Sequence, residues 1–437
     1  MIVNFEKYHR IIRDIDPFIT YGKVKGVIGL LVEGYTPGTS IGEMCRIYPN
    51  DSDGTIGAEV VGFRDEKVLL MPLSNLGGVG PDCKILSTGE TSSVRVGYNL
   101  LGRVIDGLGN PVDDRGSIQL EDEYPIYADP INPLKRGRIT EPIDLGIKAI
   151  NGLFSCGRGQ RIGIFSGSGV GKSVLLGMIA RNTKADINVI GLVGERGREV
   201  REFIENSLGE EGLAKSIVVT ATSDMHPLVR MRAAYVATAI SEYFRDQGKD
   251  VLLMVDSLTR FAMAQREVGL SVGEPPTTNG YTPSVFSLMP QLLERVGNVE
   301  DGGSITGIYT VLVEGDDFNE PIADAARSIL DGHITLSRTL AAKNHYPAID
   351  VLESISRLMI NLVGDDHRKI ANDVLNMVAT YRKSEDLINI GAYVEGSNPE
   401  IDNAIKMTDK IGSFLKQDIH EKVGFEESRK QLFALFD

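Results

Sequence analysis

The stretch RIGIFSGSGVGKSVLLGMIA, Arg161 to Ala180, decides how the chain is read. It falls one residue short of the phosphate-binding pattern G-x-x-x-x-G-K-[ST], because Ser166 stands where the first glycine belongs. The context is still the one that pattern needs: an apolar strand, a glycine-rich turn, then a helical run. Gly167, Gly169 and Gly171 let the backbone turn its N–H groups inward, and the helix start adds its positive end. The candidate cradle for a nucleotide is therefore Gly167, Ser168, Gly169, Val170, Gly171, Lys172, Ser173 and Val174. In it Lys172 reaches the β- and γ-phosphates and the Ser173 hydroxyl ligates Mg2+. Serine is a small side chain, so Ser166 fits beside the loop and leaves the phosphate-contacting positions intact.

Two further stretches place carboxylates at equivalent points. INVIGLVGERGREV carries Glu195 directly after an apolar run, with Arg196 next to it, and VLLMVDSLTR carries Asp256 after another. One carboxylate after an apolar run is ordinary helix capping. In an open α/β sheet, however, ligands bind outside the C-terminal ends of the strands, and all three stretches end there. Asp256 then suits the carboxylate that organises Mg2+, and Glu195 the group that orients or deprotonates the attacking water. Arg196 either steadies the γ-phosphate or makes a salt bridge.

Outward from this centre the chain alternates. RIGIFS, INVIGLVG, SIVVTAT, VLLMVDS, SITGIYTVLVEG and GHITLS read as strands, with helical stretches such as KSVLLGMIARN and PLVRMRAAYVATAISEYFRDQG between several of them. That order predicts an α/β domain with a mostly parallel sheet covered on both faces. Before it, residues 21–94 carry short β-rich runs punctuated by Gly, Pro, Asn and Asp, the signature of a small β-barrel or sandwich. A turn-rich passage with Pro111, Pro125, Pro130, Pro133 and Pro142 reads as an extended surface connector. The core domain is expected over 95–363. Residues 364–437 have helical spacing, interrupted by GSNPE, and read as a small helical domain. Residues 1–20 read as a short helical segment, with Phe5, Tyr8, Ile12 and Ile15 spaced for one face.

The composition narrows the function classes. The 437 residues are 42% hydrophobic and 24% charged, with a net charge of −14. An acidic balance counts against a protein that wraps nucleic acid, which needs an excess of Lys and Arg. The three cysteines are scattered and odd in number, and the six histidines form no metal-ligand spacing. No apolar run reaches the roughly 18 residues that span a bilayer, and the first residues lack a secretory signal. A cytoplasmic location is expected.

The motifs SGSGVGKS, GERGREVREF, VLLMVDSLTRFAMAQREVGL, GEPPTTNGYTPSVFSLMPQLLERVG and VEGDDFNEPIADAARSILDGHITLSR together resemble the ATPases of flagellar type III protein export. The virulence-secretion ATPases belong to the same family, which is similar in its core to the catalytic subunit of rotary ATP synthases. The resemblance implies an N-terminal β-barrel, a RecA-like P-loop ATPase core, a C-terminal helical domain and a homo-hexameric ring. The first loop position in that family is usually alanine or glycine, so Ser166 is a departure. In HYPAIDVLESISRLM, Arg357 matches an arginine that the family inserts into a neighbouring subunit's site, and Tyr346 an aromatic that packs on adenine. Taken from the residues alone, Arg357 is a capping or surface arginine and Tyr346 a core tyrosine.

The resemblance further implies ATP and Mg2+ as ligands, and export substrates, their chaperones and a regulator or stator-like protein as partners. The regulator is expected on the N-terminal segment, and peripheral contact is expected with a membrane export gate. SEDLINIGAYVEGS and FLKQ read more like flagellar members than virulence ones. The rotary synthase reading lacks that subunit's glutamate-rich lever. A nucleic-acid translocase lacks an aromatic and basic platform near the N-terminus.

Overall fold

The computed structural model describes residues 20–50, 54–300, 302–313, 315 and 317–436. The expected helix over 1–20 lies almost wholly outside them. The chain forms two compact units, one of residues 1–92 with 271–273 and one of the rest.

In the first unit β1 (Tyr21–Ile28), β2 (Leu31–Tyr35), β3 (Glu43–Tyr48), β4 (Ile56–Arg64), β5 (Lys67–Pro72) and β6 (Lys84–Thr91) close into a barrel in the order β1-β2-β5-β4-β3-β6. Alternation along the strands fills its interior. In β3 the residues Cys45 and Ile47 point in, and they meet Val24, Val32, Val60, Leu70 and Ile85. Gly34 lets the strands close, because a Cβ there would stand 2.9 Å from the backbone oxygen of Lys23 as well as 2.4 Å from Ile85 Cδ1. Cys45 and Cys83 are free and buried here, and Cys156 is free and buried in the second unit.

The second unit starts at β7 (Ser93–Val96), which pairs antiparallel with β9 (Asp122–Pro125); the expected boundary at residue 94 therefore falls inside a strand. Its centre is a sheet of β8 (Val104–Asp106), β10 (Arg161–Ser166), β11 (Ile187–Glu195), β12 (Ser216–Thr222), β13 (Asp250–Asp256), β14 (Ser304–Leu312), β15 (Gly332–Leu336) and β16 (Ile349–Ser356). The order is β16-β15-β10-β14-β13-β11-β12-β8, parallel except for β15 with β16. All nine residues of β11 are buried, as a central strand covered on both faces must be. The helix Pro227–Asp246 covers β11, β12 and β13, while Leu175, Leu176 and Ile179 of the helix Lys172–Asn182 join the core cluster of Ile162, Ile164 and Met254.

The turn-rich passage does more than connect. Its strand β8 extends the sheet beside β12, although three residues are too few to show a period. Arg103 clamps the turn that follows, with Nε 2.7 Å and an Nη 2.8 Å from the Asp113 carboxylate, which that pairing holds far below the usual carboxylate range.

Three further helices complete this unit: Asp365–Asn389, Pro399–Leu415 and Phe425–Phe433. The expected break is a start signal, in which Asn398 accepts from Glu400 N at 2.9 Å with Pro399 in the first turn. Phe414 packs on Gly152, and the chain between the second and third helices runs back over the sheet's ligand edge.

Candidate nucleotide site

The parallel register carries the site. β10, β13 and β11 end at Ser166, Asp256 and Glu195, and β14, between β10 and β13, presents Thr310. After Ser166 the loop turns through Gly169 (φ 77°) and Gly171 (φ 92°), a left-handed geometry that glycine adopts without strain. Lys172 and Ser173 then open a helix whose first N–H groups have no intrahelical acceptor.

Lys172 Nζ contacts Asp256 Oδ1 and lies 3.8 Å from Glu195 Oε1. Thr310 donates to Asp256 Oδ1 at 2.6 Å, and Arg260 Nε donates to Glu195 Oε1 at 3.1 Å. Burial raises the Glu195 carboxyl to about 7, with repulsion from Asp256 adding to the shift and Lys172 opposing it. A hydrogen bond with Glu199 also favours the protonated form.

An open pocket of about 330 Å³ adjoins the loop, lined by Gly169, Val170, Gly171, Val174, Tyr346 and Pro347, and closed by Gln417 and Ile419. Tyr346 is 42% exposed, so it is not a core tyrosine, and a Cβ on Gly171 would stand 3.5 Å from its ring. Such an apolar slot next to a phosphate loop suits a nucleobase.

Two expected residues lie elsewhere. Arg196 is not brought to the loop: its guanidinium is exposed and donates to Glu199 at 3.1 Å, the salt-bridge alternative. Arg260, one helical turn after Asp256, contacts Glu195 in its place. Arg357 sits at the far end of the sheet, where its N–H and that of Arg161 both bond Asp331. β10 has six residues between that end and the loop, about 17 Å of strand. Arg357, donating to Arg327 O at 2.9 Å, does not reach its own chain's loop.

The donor set suits a magnesium nucleotide. The Ser173 hydroxyl and the Asp256 carboxylate would supply one or two ligands, and a small octahedral ion would leave the rest to water and phosphate. Among the described residues no group of three or more His, Cys, Asp or Glu is arranged to hold a metal by itself.

The flagellum-specific ATP synthase of Bacillus subtilis is 54% identical over 423 residues, spanning 96% of each chain. The chain belongs to the family of flagellum-specific ATP synthases and type 3 secretion system ATPases. It is a P-loop ATPase. Similar proteins in this family include the flagellum-specific ATP synthase of Pseudomonas aeruginosa, 50% identical over 95% of this chain and 93% of the relative. The type 3 secretion system ATPase of Xanthomonas euvesicatoria is 49% identical over 95% and 94%. The assembled ATPase EscN of the enteropathogenic E. coli type III secretion system superposes with a TM-score of 0.89, at 46% identity, covering 95% of this chain and all of that one. Family models match in three parts: the ATP synthase alpha/beta family beta-barrel domain at 24–89, its nucleotide-binding domain at 146–356, and the T3SS EscN ATPase C-terminal domain at 363–434.

Four residues of the family member's site escape sequence reading. Thr310 is a polar residue inside an apolar strand and Arg260 lies four residues after Asp256, both weak local signals. Gln417 and Ile419 carry none, because only the return of the chain from the last helices brings them to Tyr346. Gln417 N donates to Tyr346 O at 3.0 Å, its side chain is held by Lys148 N and Gly146 O, and Arg181 fixes Ile419 O at 2.7 Å.

Proposed function

We propose that the chain hydrolyses ATP with Mg2+ in a homo-hexameric ring that energises flagellar type III protein export, with each site completed by Arg357 of a neighbouring subunit. The observation that carries this reading is the division of parts in one chain. Lys172, Glu195, Asp256 and Thr310 stand at one end of the sheet and Arg357, exposed, at the other. A ring that repeats one interface brings the two ends of adjacent copies together.

In this reading the phosphate loop binds the triphosphate through its N–H groups, and Lys172 leaves Asp256 to hold the β- and γ-phosphates. Bound Mg2+ supplies charge neutralisation on the phosphate oxygens. Ser173 and Asp256 hold the ion, with Thr310 fixing the carboxylate's orientation. Glu195, steered by Arg260, orients the attacking water and accepts its proton. Tyr346 and Ile419 sandwich the base. Arg196 is left on Glu199 at the surface.

Flagellar export is favoured over virulence secretion by the flagellar relatives in Bacillus subtilis and Pseudomonas aeruginosa, at 54% and 50% identity. Solved structures include EscN in complex with its central stalk EscO, which supports a stalk-like partner for this chain too. Export substrates, chaperones, a regulator on residues 1–20 and peripheral contact with a membrane export gate on the cytoplasmic side complete the proposal. No helix among the described residues is long and apolar enough to cross a membrane.

ATP turnover of Lys172→Ala, Arg357→Ala and their mixture tests it. Each variant alone loses about 10³-fold or more, and mixing restores part of the rate, because sites then form with one intact lysine and one intact arginine. Full activity of Arg357→Ala, or no recovery on mixing, refutes the shared site.

A further inference from the structure

Ser166, the residue that breaks the loop pattern, has no part in the chemistry above, and its surroundings give it one. The side chain is 1% exposed, and among the described residues its hydroxyl has no hydrogen-bond partner. Its carbonyl, by contrast, accepts from Val313 N at 3.0 Å. A buried hydroxyl left unpaired is a standing cost to a fold, and alanine would avoid it.

The register shows where this hydroxyl lies. β10 pairs with β14 so that Ile164 is opposite Thr310 and Ser166 opposite Leu312. Ser166 therefore shares a sheet face with Ile162 and Ile164, which pack under the helix Lys172–Asn182, and with Thr310, whose hydroxyl meets Asp256. That is the face across which Lys172 reaches Asp256. The register thus puts Ser166 at the base of the phosphate loop, on the sheet face that carries Thr310 and Asp256.

We propose that Ser166 is a positioning residue for Lys172, accepting a hydrogen bond from its ammonium once a magnesium nucleotide is bound. The inference rests on the nucleotide-site reading. An ammonium has three donors and no acceptor. Without nucleotide, Lys172 is served by Asp256 and, at longer range, Glu195. When Asp256 turns to the metal, the β- and γ-phosphates take two of the donors, and the third is left for an acceptor beside the loop. Ser166 Oγ is such an acceptor. A glycine or alanine at this position offers no side-chain acceptor.

The test compares wild type with Ser166→Ala, and with Ser166→Cys, which keeps nearly the same volume but accepts hydrogen bonds poorly. Thermal midpoints are taken without nucleotide. The Kd for a non-hydrolysable ATP analogue with Mg2+ is measured by titration, and kcat and KM are separated. Without nucleotide the midpoints should equal or exceed wild type, because an unpaired polar group has been removed. The Kd should weaken about three- to tenfold, the worth of one hydrogen bond, in both variants. A serine with a purely structural role instead lowers the midpoint and leaves the Kd alone. An unchanged Kd in either folded variant, beside a lost response in Lys172→Ala, overturns this inference alone. No binding of the analogue by wild type overturns it together with the site reading.

Discussion

Two clusters of buried charge in the second unit are built from similar residues and differ in one respect, whether a carboxylate is matched one to one with its cation or crowded by a second carboxylate. Arg295, 1% exposed, meets both oxygens of Glu242, with Nε–Oε1 at 2.9 Å, and donates a further bond to Ile126 O at 2.6 Å. One fork meets one carboxylate, and no charge is left over. At the nucleotide edge Lys172 serves Asp256 and stands 3.8 Å from Glu195, which also accepts from Arg260 at 3.1 Å, so two carboxylates crowd each other although two cations face them. There the donors and acceptors do not close on themselves. The matched pair ties the turn at Arg295 to the helix Pro227–Asp246 and to the connector at Ile126. The unmatched set holds a carboxyl near neutrality and a lysine that is free to change partners, which is what a ligand site needs.

Glu195→Gln should break the unmatched cluster's function most severely. Turnover should fall about 10²- to 10⁴-fold while nucleotide affinity is kept, since the amide cannot accept the water's proton. In wild type, kcat/KM should rise with pH as the Glu195 carboxyl, raised to about 7, loses its proton, and the residual rate of the variant should not follow that curve. Retained turnover in the variant would move the base elsewhere.

Glu242→Ala should be the corresponding break in the matched pair. It leaves the Arg295 guanidinium buried without its carboxylate, at a cost of about 3–5 kcal/mol, read as a lower urea midpoint. A cost below about 1 kcal/mol would mean that Ile126 O and water satisfy the arginine, and the contrast between the clusters would weaken.

Stability against pH sharpens the comparison. Glu195 binds its proton more tightly folded than unfolded, so its contribution is complete below about pH 4.5 and is lost as pH rises to about 7. Nucleotide-free wild type should lose up to roughly 3 kcal/mol relative to Glu195→Gln across that window, from the 1.36 kcal/mol that each pKa unit represents. A difference that is flat in pH would place the carboxyl in its ordinary range. The smallest effect is expected from Thr310→Val. It removes one hydrogen bond to Asp256 and should cost about 1 kcal/mol in stability, with a several-fold loss in kcat as the carboxylate's aim loosens.

Much of this site was legible locally because its chemistry is carried by short, ordered stretches. Lys172 follows a strand and a glycine turn, and Glu195 and Asp256 each end an apolar run; parallel pairing then gathers them without further instruction. Arg196 shows where such reading stops. Its neighbour Glu195 faces the loop, but the turn into the next helix sends the arginine to solvent, and spacing along a chain does not report that change of direction. β8 shows the same for the fold, since a three-residue strand has no period to detect.

The amino-acid order by itself determined the layers of the second unit, the phosphate loop and the carboxylates at the strand ends. Each of these follows from local propensity and from the two-residue and 3.6-residue periods. Only the tertiary structure decided the rest. It brings Gln417 and Ile419 more than two hundred residues along the chain to the loop at Gly171, sets Arg357 a full strand length from the lysine, and leaves the Ser166 hydroxyl buried without a partner. Those are outcomes of sheet order and long-range packing, which couple residues that no local pattern connects.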